Sequence, residues 1–294
     1  MGTTRSPLLY LFLLVPVGYL AVLVGFPILY NLIMSVQEVT LGNIVDLIRP
    51  FVGLDNYAAA LADQTFRKVF LNSVIFVSAN VVVQVGLGLV VALFFSIGFP
   101  GAGFMRGLLL ASWMLPALVV GALWKWIFAT EYGLANFVLI SLGVVGAPVH
   151  WLSDPSVSLL SVTIANIWFG MPLSMILIAA ALTTIPRELY EAASLDGAGP
   201  FSRFRYITIP ALRSTLLAVA CLVTIYTMRA FDLIFAMTQG GPLDSSNVLP
   251  LLSYQFSFQQ FQFGMGAAVG TFAFFICFAV ASLYVRTLGK EAVA

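Results

Sequence analysis

Charge is scarce in this chain. Lys, Arg, Asp and Glu make up 9% of its 294 residues and 61% are hydrophobic, against about 25% and 45–50% in soluble domains. Such a composition excludes a water-solvated globule. The net charge of +1 says nothing about nucleic acid, and no basic cluster points to it, so no nucleic-acid partner is expected. Histidine is nearly absent: His150 has no second His and no nearby Cys, so no metal site is expected. Cys221 and Cys277 both fall inside apolar runs and read as small buried hydrophobes, with no disulfide implied. There is no G-x-x-x-x-G-K-[ST] phosphate loop, since Gly289-Lys290 is followed by Glu291. There is also no G-x-S-x-G elbow. Catalysis of ATP hydrolysis is therefore not expected of this chain; if it takes part in an ATP-driven process, the ATPase is another polypeptide.

Long apolar runs are what the sequence has instead. In lipid every backbone polar group must be satisfied internally, by helices or closed barrels. The runs are continuous rather than short and alternating, so the expected fold class is all-α integral membrane. A crossing needs roughly 20 apolar residues. Six runs qualify, near residues 8–34, 69–97, 104–128, 157–182, 211–237 and 264–286. The outer segments are too short to be separate domains, so a single membrane domain over 1–294 is expected. The first run is longer than a secretory h-region, lacks a small-x-small cleavage site and reads as a retained anchor.

Six crossings place both termini and the segment after the fourth run on one side. Arg5, Arg106, Arg187, Arg203, Arg205, Arg213, Arg286 and Lys290 fall there. Arg49, Arg67, Lys68 and Lys125 fall opposite, leaving Arg229 within a run. This asymmetry makes the terminal side cytoplasmic.

One polar insert stands out, over 183–210. Ile185–Leu195 reads as a short helix, with Pro186 in its first turn and Glu188 complementing its dipole. Gly197 is placed to take the left-handed conformation that ends a helix tightly. A second short helix from Pro200 to Tyr206 is expected, and Pro210 would mark the start of the fifth span. In this helix-turn-helix, Ala192 and Ala193 permit close approach of another surface. Leu189, Tyr190 and Phe204 would supply apolar anchors, and Glu191, Asp196, Arg203 and Arg205 charge. On chemistry alone it could equally be a solvated loop held at the membrane by arginines.

The order of these residues resembles the cytoplasmic "EAA" loop of permease subunits in binding-protein-dependent ABC importers. Glu191, Ala192, Ala193, Asp196, Gly197, Ala198, Phe204, Ile207 and Pro210 match that pattern, with Ile209 in place of the more usual Leu. Phe51-Val52-Gly53-Leu54-Asp55-Asn56-Tyr57 is similar to a signature of the sugar-uptake branch. Phe231-Asp232 with Thr238-Gln239-Gly240-Gly241-Pro242 resembles an element of its maltose-type first permease, Gln239 standing where a third Gly is common. The resemblance implies a compact six-span permease of a bacterial or archaeal cytoplasmic membrane. It also implies that Glu191, Ala192, Ala193, Asp196, Gly197 and Ala198 engage an ATPase. The implied partners are a homologous second permease, a dimer of ATP-binding subunits that hold ATP and Mg, an extracytoplasmic solute-binding protein and membrane lipid.

Polar residues inside a membrane are costly and face a bundle interior or a water-filled path. Ser73, Asn80 and Gln84 share one helical face. The fourth run adds Asn166 and Trp168, the fifth Tyr226, Arg229 and Asp232. Amides and aromatics suit a neutral sugar, although Asn80 and Gln84 could equally bond neighbouring helices. Arg229 and Asp232, three apart, are expected to pair on one helix face; Arg229 would also suit an anionic cargo such as glycerol phosphate. Tyr254–Phe263 alternates aromatics with amides, as an interfacial belt does. The competing class is a self-contained secondary transporter, but no carboxylate falls mid-span and no internal repeat is evident.

Overall fold

The computed structural model describes residues 7–291, with the side chains of 7–11, 13 and 288–291 excepted. Arg5 and the side chain of Lys290 lie outside that description. Among the described residues the protein is helical, with two isolated antiparallel bridges, Gln37 with Phe51 and Thr40 with Gln262. Chain packing divides it into two compact units, one of residues up to Phe66 with Leu252–Ala273, the other of Arg67–Leu251 with residues from Phe274 onward.

The first unit begins with α1 (Pro7–Leu20), a π turn (Ala21–Gly25) and α2 (Phe26–Ser35). Together they form the first span, close to the expected 8–34. The π turn sits just before Pro27, and the Phe26 N–H reaches back to Ala21 O. A proline has no N–H for the i−4 carbonyl, and the widened turn absorbs that loss without ending the helix. After α2 the chain enters α3 (Asp55–Ala62). The Phe-Val-Gly-Leu-Asp-Asn-Tyr signature works as a clasp here. Asn56 Nδ2 donates to Ser35 O and Gln37 O at 3.0 and 2.9 Å, and Tyr57 and Ser35 share a 2.6 Å hydroxyl hydrogen bond. Phe272 packs on Tyr57 and Phe66 with ring centroids 5.6 and 5.0 Å away.

The second span, α4 (Gln64–Ser96), starts five residues before the expected position. Asp63 Oδ1 accepts the Thr65 N–H at 2.6 Å, so a side-chain cap lets polar residues form the first turn. The third run departs further from expectation. It is two helices, α5 (Ala102–Trp113) and α6 (Ala117–Ile127), bent by 99°. Pro116 causes the bend, because it bars Leu115 from helical conformation and itself sits at ψ 134°. Next come α7 (Leu134–Ser141) and the fourth span, α8 (Ser158–Leu182).

The polar insert holds α9 (Arg187–Leu195) and α10 (Pro200–Arg203). A π turn (Phe204–Thr208) then leads straight into α11 (Ile209–Met228), so Pro200–Met228 is one continuous helix. Pro210 lies in the first turn of α11, inside that continuous helix rather than at its start. As at Pro27, the residue before it bonds five back, Ile209 N–H to Phe204 O. The expected fifth span, 211–237, ends early at Met228, and α12 (Asp232–Met237) follows a break. The chain closes with α13 (Leu249–Tyr254), a π turn (Gln255–Gln259) and α14 (Phe263–Glu291).

The core of the second unit lies between α4, α8 and α11, where Ala92, Phe95, Met175, Ile178, Leu212 and Val219 cluster, all buried. Lipid tails are as apolar as these side chains, so close packing has to hold the helices together. Gly88 permits it, since a Cβ there would lie 2.7 Å from Ser174 Cβ. Gly121 lets α6 lie on α12, where a Cβ would meet Leu233 O and Ala236 Cβ at 2.7 Å. The Gly-Gly-Pro segment is more than a turn. Asn72 Nδ2 donates to Asp244 O at 2.9 Å and Ser245 O at 3.2 Å, and Ser73 Oγ accepts the Leu249 N–H at 2.9 Å. Ser245, Ser246 and Asn247 are buried as a result.

Candidate functional site

Two places collect the residues singled out from sequence. The first is the exposed elbow of α9 and α10. Its turn is a Schellman motif: Gly197 has φ 78°, Ala198 N–H donates to Ala193 O at 2.8 Å and Gly197 N–H to Ser194 O at 3.1 Å. Glu191, Ala192, Asp196 and Gly197 are exposed, Ala193 and Ala198 half-buried.

The expected anchors separate into two groups. Leu189 is exposed. Tyr190 turns inward against the core, its hydroxyl sharing a 2.9 Å hydrogen bond with Thr208 Oγ1, and Phe204 is half-buried. Tyr190 thus staples the elbow to its own spans. Arg203 is also engaged internally, donating to Ser194 Oγ at 2.9 Å. Sequence reading missed Leu195 and Phe201, which are 90% and 77% exposed. Their signal was present, because an apolar residue at the last helical position and one after a proline lie off the inward face.

The second place is an open cavity of about 240 Å³ bordered by α4, α8, α11, the start of α12 and the α5–α6 bend. Gln84, Asn166, Tyr226, Arg229 and Asp232 all line it. Asn80 lies behind this wall, fully buried, and organises it. Its Nδ2 donates to Phe76 O at 2.7 Å, while its Oδ1 accepts Gln84 Nε2 at 2.8 Å and Asn166 Nδ2 at 2.7 Å. Gln84 Nε2 also donates to Asn166 O at 3.1 Å. The amides thus bond neighbouring helices and, at Gln84 and Asn166, also face the cavity. Gly170 leaves room for the Gln84 carboxamide, which an added Cβ would overlap.

Three expectations need correction. Trp168 does not join the cavity; it meets Trp124 edge-on with centroids 5.8 Å apart, in a column continued by Phe128 and Trp151. Two residues on from Asn166 is about 200° around a helix, so the two cannot share a face. Phe169 and Trp113 supply the aromatic surface instead. Ser73, although on the face of Asn80 and Gln84, holds the Leu249 segment rather than the cavity. Finally, Arg229 and Asp232 are not an i,i+3 pair on one helix. Arg229 caps α11, Asp232 opens α12, and among the described residues no ion pair joins them. Both are exposed.

His150 is exposed in the loop before α8. Nearby, the Asp154 carboxyl is held below its ordinary range by hydrogen bonds from the Ser156 backbone N–H and hydroxyl, with a smaller contribution from His150. In the aromatic–amide stretch, Phe258 and Phe261 are exposed while Phe256 is buried.

Comparison with known proteins accords with this arrangement. The chain is 34% identical to the trehalose/maltose transport system permease protein MalF of Thermococcus litoralis over 238 residues, covering 81% of this chain and 80% of that one. It is 32% identical to the diacetylchitobiose uptake system permease protein DasB of Streptomyces coelicolor over 285 residues, 96% and 87% of the two chains. With the sulfoquinovosyl glycerol transport system permease protein SmoG of Agrobacterium fabrum it shares 33% over 238 residues, 81% and 77%. Its fold matches a chain of a bacterial ABC transporter involved in import of the acidic polysaccharide alginate, with a TM-score of 0.79 over 95% of both chains at 18% identity. Residues 84–291 match the profile of one family, and this multi-pass membrane chain belongs to it: the binding-protein-dependent transport system inner membrane components.

Proposed function

We propose that this chain is one of two permease subunits that line the pathway of an ATP-driven importer, and that its cargo is a small saccharide or glycoside. The observation that carries the reading is the cavity in which Gln84, Asn166 and Tyr226 meet Trp113 and Phe169. Amide oxygens and aromatic faces are what a hydroxyl-rich, partly apolar ring asks for. The names of the MalF and DasB relatives support the same cargo class.

In this reading both termini and the elbow face the cytoplasm, which the arginine asymmetry supports. The elbow, with Glu191, Ala192, Ala193, Asp196, Gly197 and Ala198, docks on one subunit of an ATPase dimer, which holds ATP and Mg. A second, homologous permease completes the pathway and a solute-binding protein delivers cargo from outside. The test is reconstitution of the chain with the products of its neighbouring genes in liposomes. Uptake should require ATP, the binding protein and a cargo found by thermal-shift screening of that protein. ATP-independent uptake by this chain alone would overturn the proposal.

Arg229 favours a second reading, an anionic glycoside or glycerol phosphate. Arg229 lines the cavity, and among the described residues no ion pair joins it to Asp232; SmoG is named for sulfoquinovosyl glycerol. Arg229→Gln should abolish uptake of an anionic cargo and spare that of a neutral one.

A further inference from the structure

The loop that follows the first span carries an apolar surface that its own fold does not cover. Val45, Leu47 and Ile48 are 86%, 103% and 92% exposed. They sit in a closed, ordered loop rather than a loose one. Glu38 N–H donates to Pro50 O at 2.9 Å across its neck. Asn43 braces the interior, its Oδ1 accepting Thr40 N–H and its Nδ2 donating to Glu38 O, each at 2.8 Å.

Arg49 fixes the direction in which this loop points. Its Nη2 donates to Ile44 O within the loop at 2.6 Å and to Tyr30 OH at 2.9 Å, and its guanidinium lies 5.7 Å from the Tyr30 ring centre. Tyr30 is five residues before the end of α2, about 7 Å down the helix at 1.5 Å per residue. Helical side chains lean toward the N-terminus, away from the outer end of this span. The tether therefore draws the loop back along the span. Around Tyr30, Phe26, Leu29 and Ile33 are also exposed, on the surface a crossing helix presents to lipid. The loop's apolar tip continues that surface.

We infer that the 41–49 loop is a membrane wedge, with Val45, Leu47 and Ile48 seated in the interfacial region of the outer leaflet. Tyr and Arg are the side chains that anchor segments at this depth. Arg49 Nη2 is held there by Tyr30 and a backbone carbonyl, and the Asp46 charge is tolerable at an interface but not in the hydrocarbon core. A lipid occupant is favoured over a protein one because the patch runs on from the lipid-facing surface of the span.

The experiment reads depth directly. A nitroxide is attached at Leu47→Cys, and separately at Ile48→Cys, in a Cys221→Ala, Cys277→Ala background. The full chain is purified with its bound subunits and placed in phospholipid nanodiscs. Relaxation by oxygen, which partitions into lipid, is compared with relaxation by a water-soluble nickel chelate. Wedge insertion predicts that oxygen dominates at 47 and 48, whereas nickel dominates at a Glu131→Cys control. It also predicts that Arg49→Ala shifts label 47 toward nickel. Dominance of nickel at 47 and 48 overturns the proposal. Shielding from both reagents overturns it too, and assigns the patch to a protein partner.

Discussion

Asn80 Oδ1 accepts the side-chain N–H groups of both Gln84 and Asn166, at 2.8 and 2.7 Å. The other end of the Asn80 amide is committed to Phe76 O, a carbonyl that can only accept. The amide therefore has a single orientation, and Gln84 and Asn166 must turn their nitrogen ends toward it. Their oxygen ends remain for the cavity they line.

Asn80→Leu removes the shared acceptor. Asn166 Nδ2 loses its partner and Gln84 Nε2 keeps only Asn166 O. Interhelical polar bonds in membranes average about 0.6 kcal/mol each, so a loss of about 1–2 kcal/mol is expected once the orphaned donor is included. Thermal unfolding in detergent measures it. Asn80→Asp retains acceptor oxygens and should lose less at low pH. Its loss should grow as pH rises, because an ionised carboxylate has no proton to donate to Phe76 O. Equal loss for Leu and Asp at every pH would mean the network contributes only packing.

The acceptor polarity has a consequence for cargo. Gln84→Met keeps length and flexibility but offers no carbonyl oxygen. If a cargo hydroxyl donates to Gln84 Oε1, loss of that bond costs about 1.4 kcal/mol, a tenfold rise in the cargo concentration giving half-maximal uptake. The comparison is uptake by reconstituted liposomes carrying each variant. An unchanged half-saturation concentration would remove Gln84 from the contact set.

How much of this was legible in the sequence depends on the length scale. Apolar run lengths placed the spans, because lipid imposes a minimum crossing. The elbow was legible because Gly197, following the helix-forming Glu191-Ala192-Ala193 run, specifies one chain reversal. The breaks were not. Pro27, Pro116 and Pro210 look alike in sequence, yet only Pro116 bends its helix. The other two follow π turns that redirect the preceding N–H five residues back, a device with no composition of its own. Helical phase put Ser73, Asn80 and Gln84 on one face, of which Gln84 lines the cavity and Asn80 bonds to it from behind. Phase was not applied between Asn166 and Trp168, where a spacing of two would have excluded Trp168. The Arg229–Asp232 pairing failed because i,i+3 geometry presupposes an unbroken helix.

Gly121 tests the packing that places α12 at the cavity. A Cβ there would come within 2.7 Å of both Leu233 O and Ala236 Cβ, and the first is backbone that cannot rotate away. Gly121→Val should therefore push α12 off α6, displace Asp232 and Leu233 at the cavity wall and abolish uptake. The chain should still insert, since the long helices are untouched. A paired Gly121→Val, Ala236→Gly variant relieves one of the two contacts and should recover only part of the activity. Full activity in the single variant would show that α12 can shift without consequence.

The elbow predicts a division between coupling and stability. Gly197 sits at φ 78°, where any L-residue with a Cβ is disfavoured by about 1–2 kcal/mol. Gly197→Val should fray the Schellman turn and change the angle between α9 and α10, lowering cargo-stimulated ATP hydrolysis in the reconstituted assembly. Leu195→Ser acts differently. Its side chain is 90% exposed, so the chain's own melting temperature should not move, while binding of the ATPase subunit should weaken several-fold if Leu195 enters that interface. Tyr190→Phe is the counterpart, because it deletes the hydroxyl bonded to Thr208 inside the fold. It should lower thermal stability by about 1 kcal/mol and leave ATPase binding intact. Co-purification yield and melting temperature, measured on the same three variants, separate the two roles. Should Leu195→Ser destabilise the isolated chain, or Tyr190→Phe release the ATPase, the division of the elbow into an inward staple and an outward docking edge would be wrong.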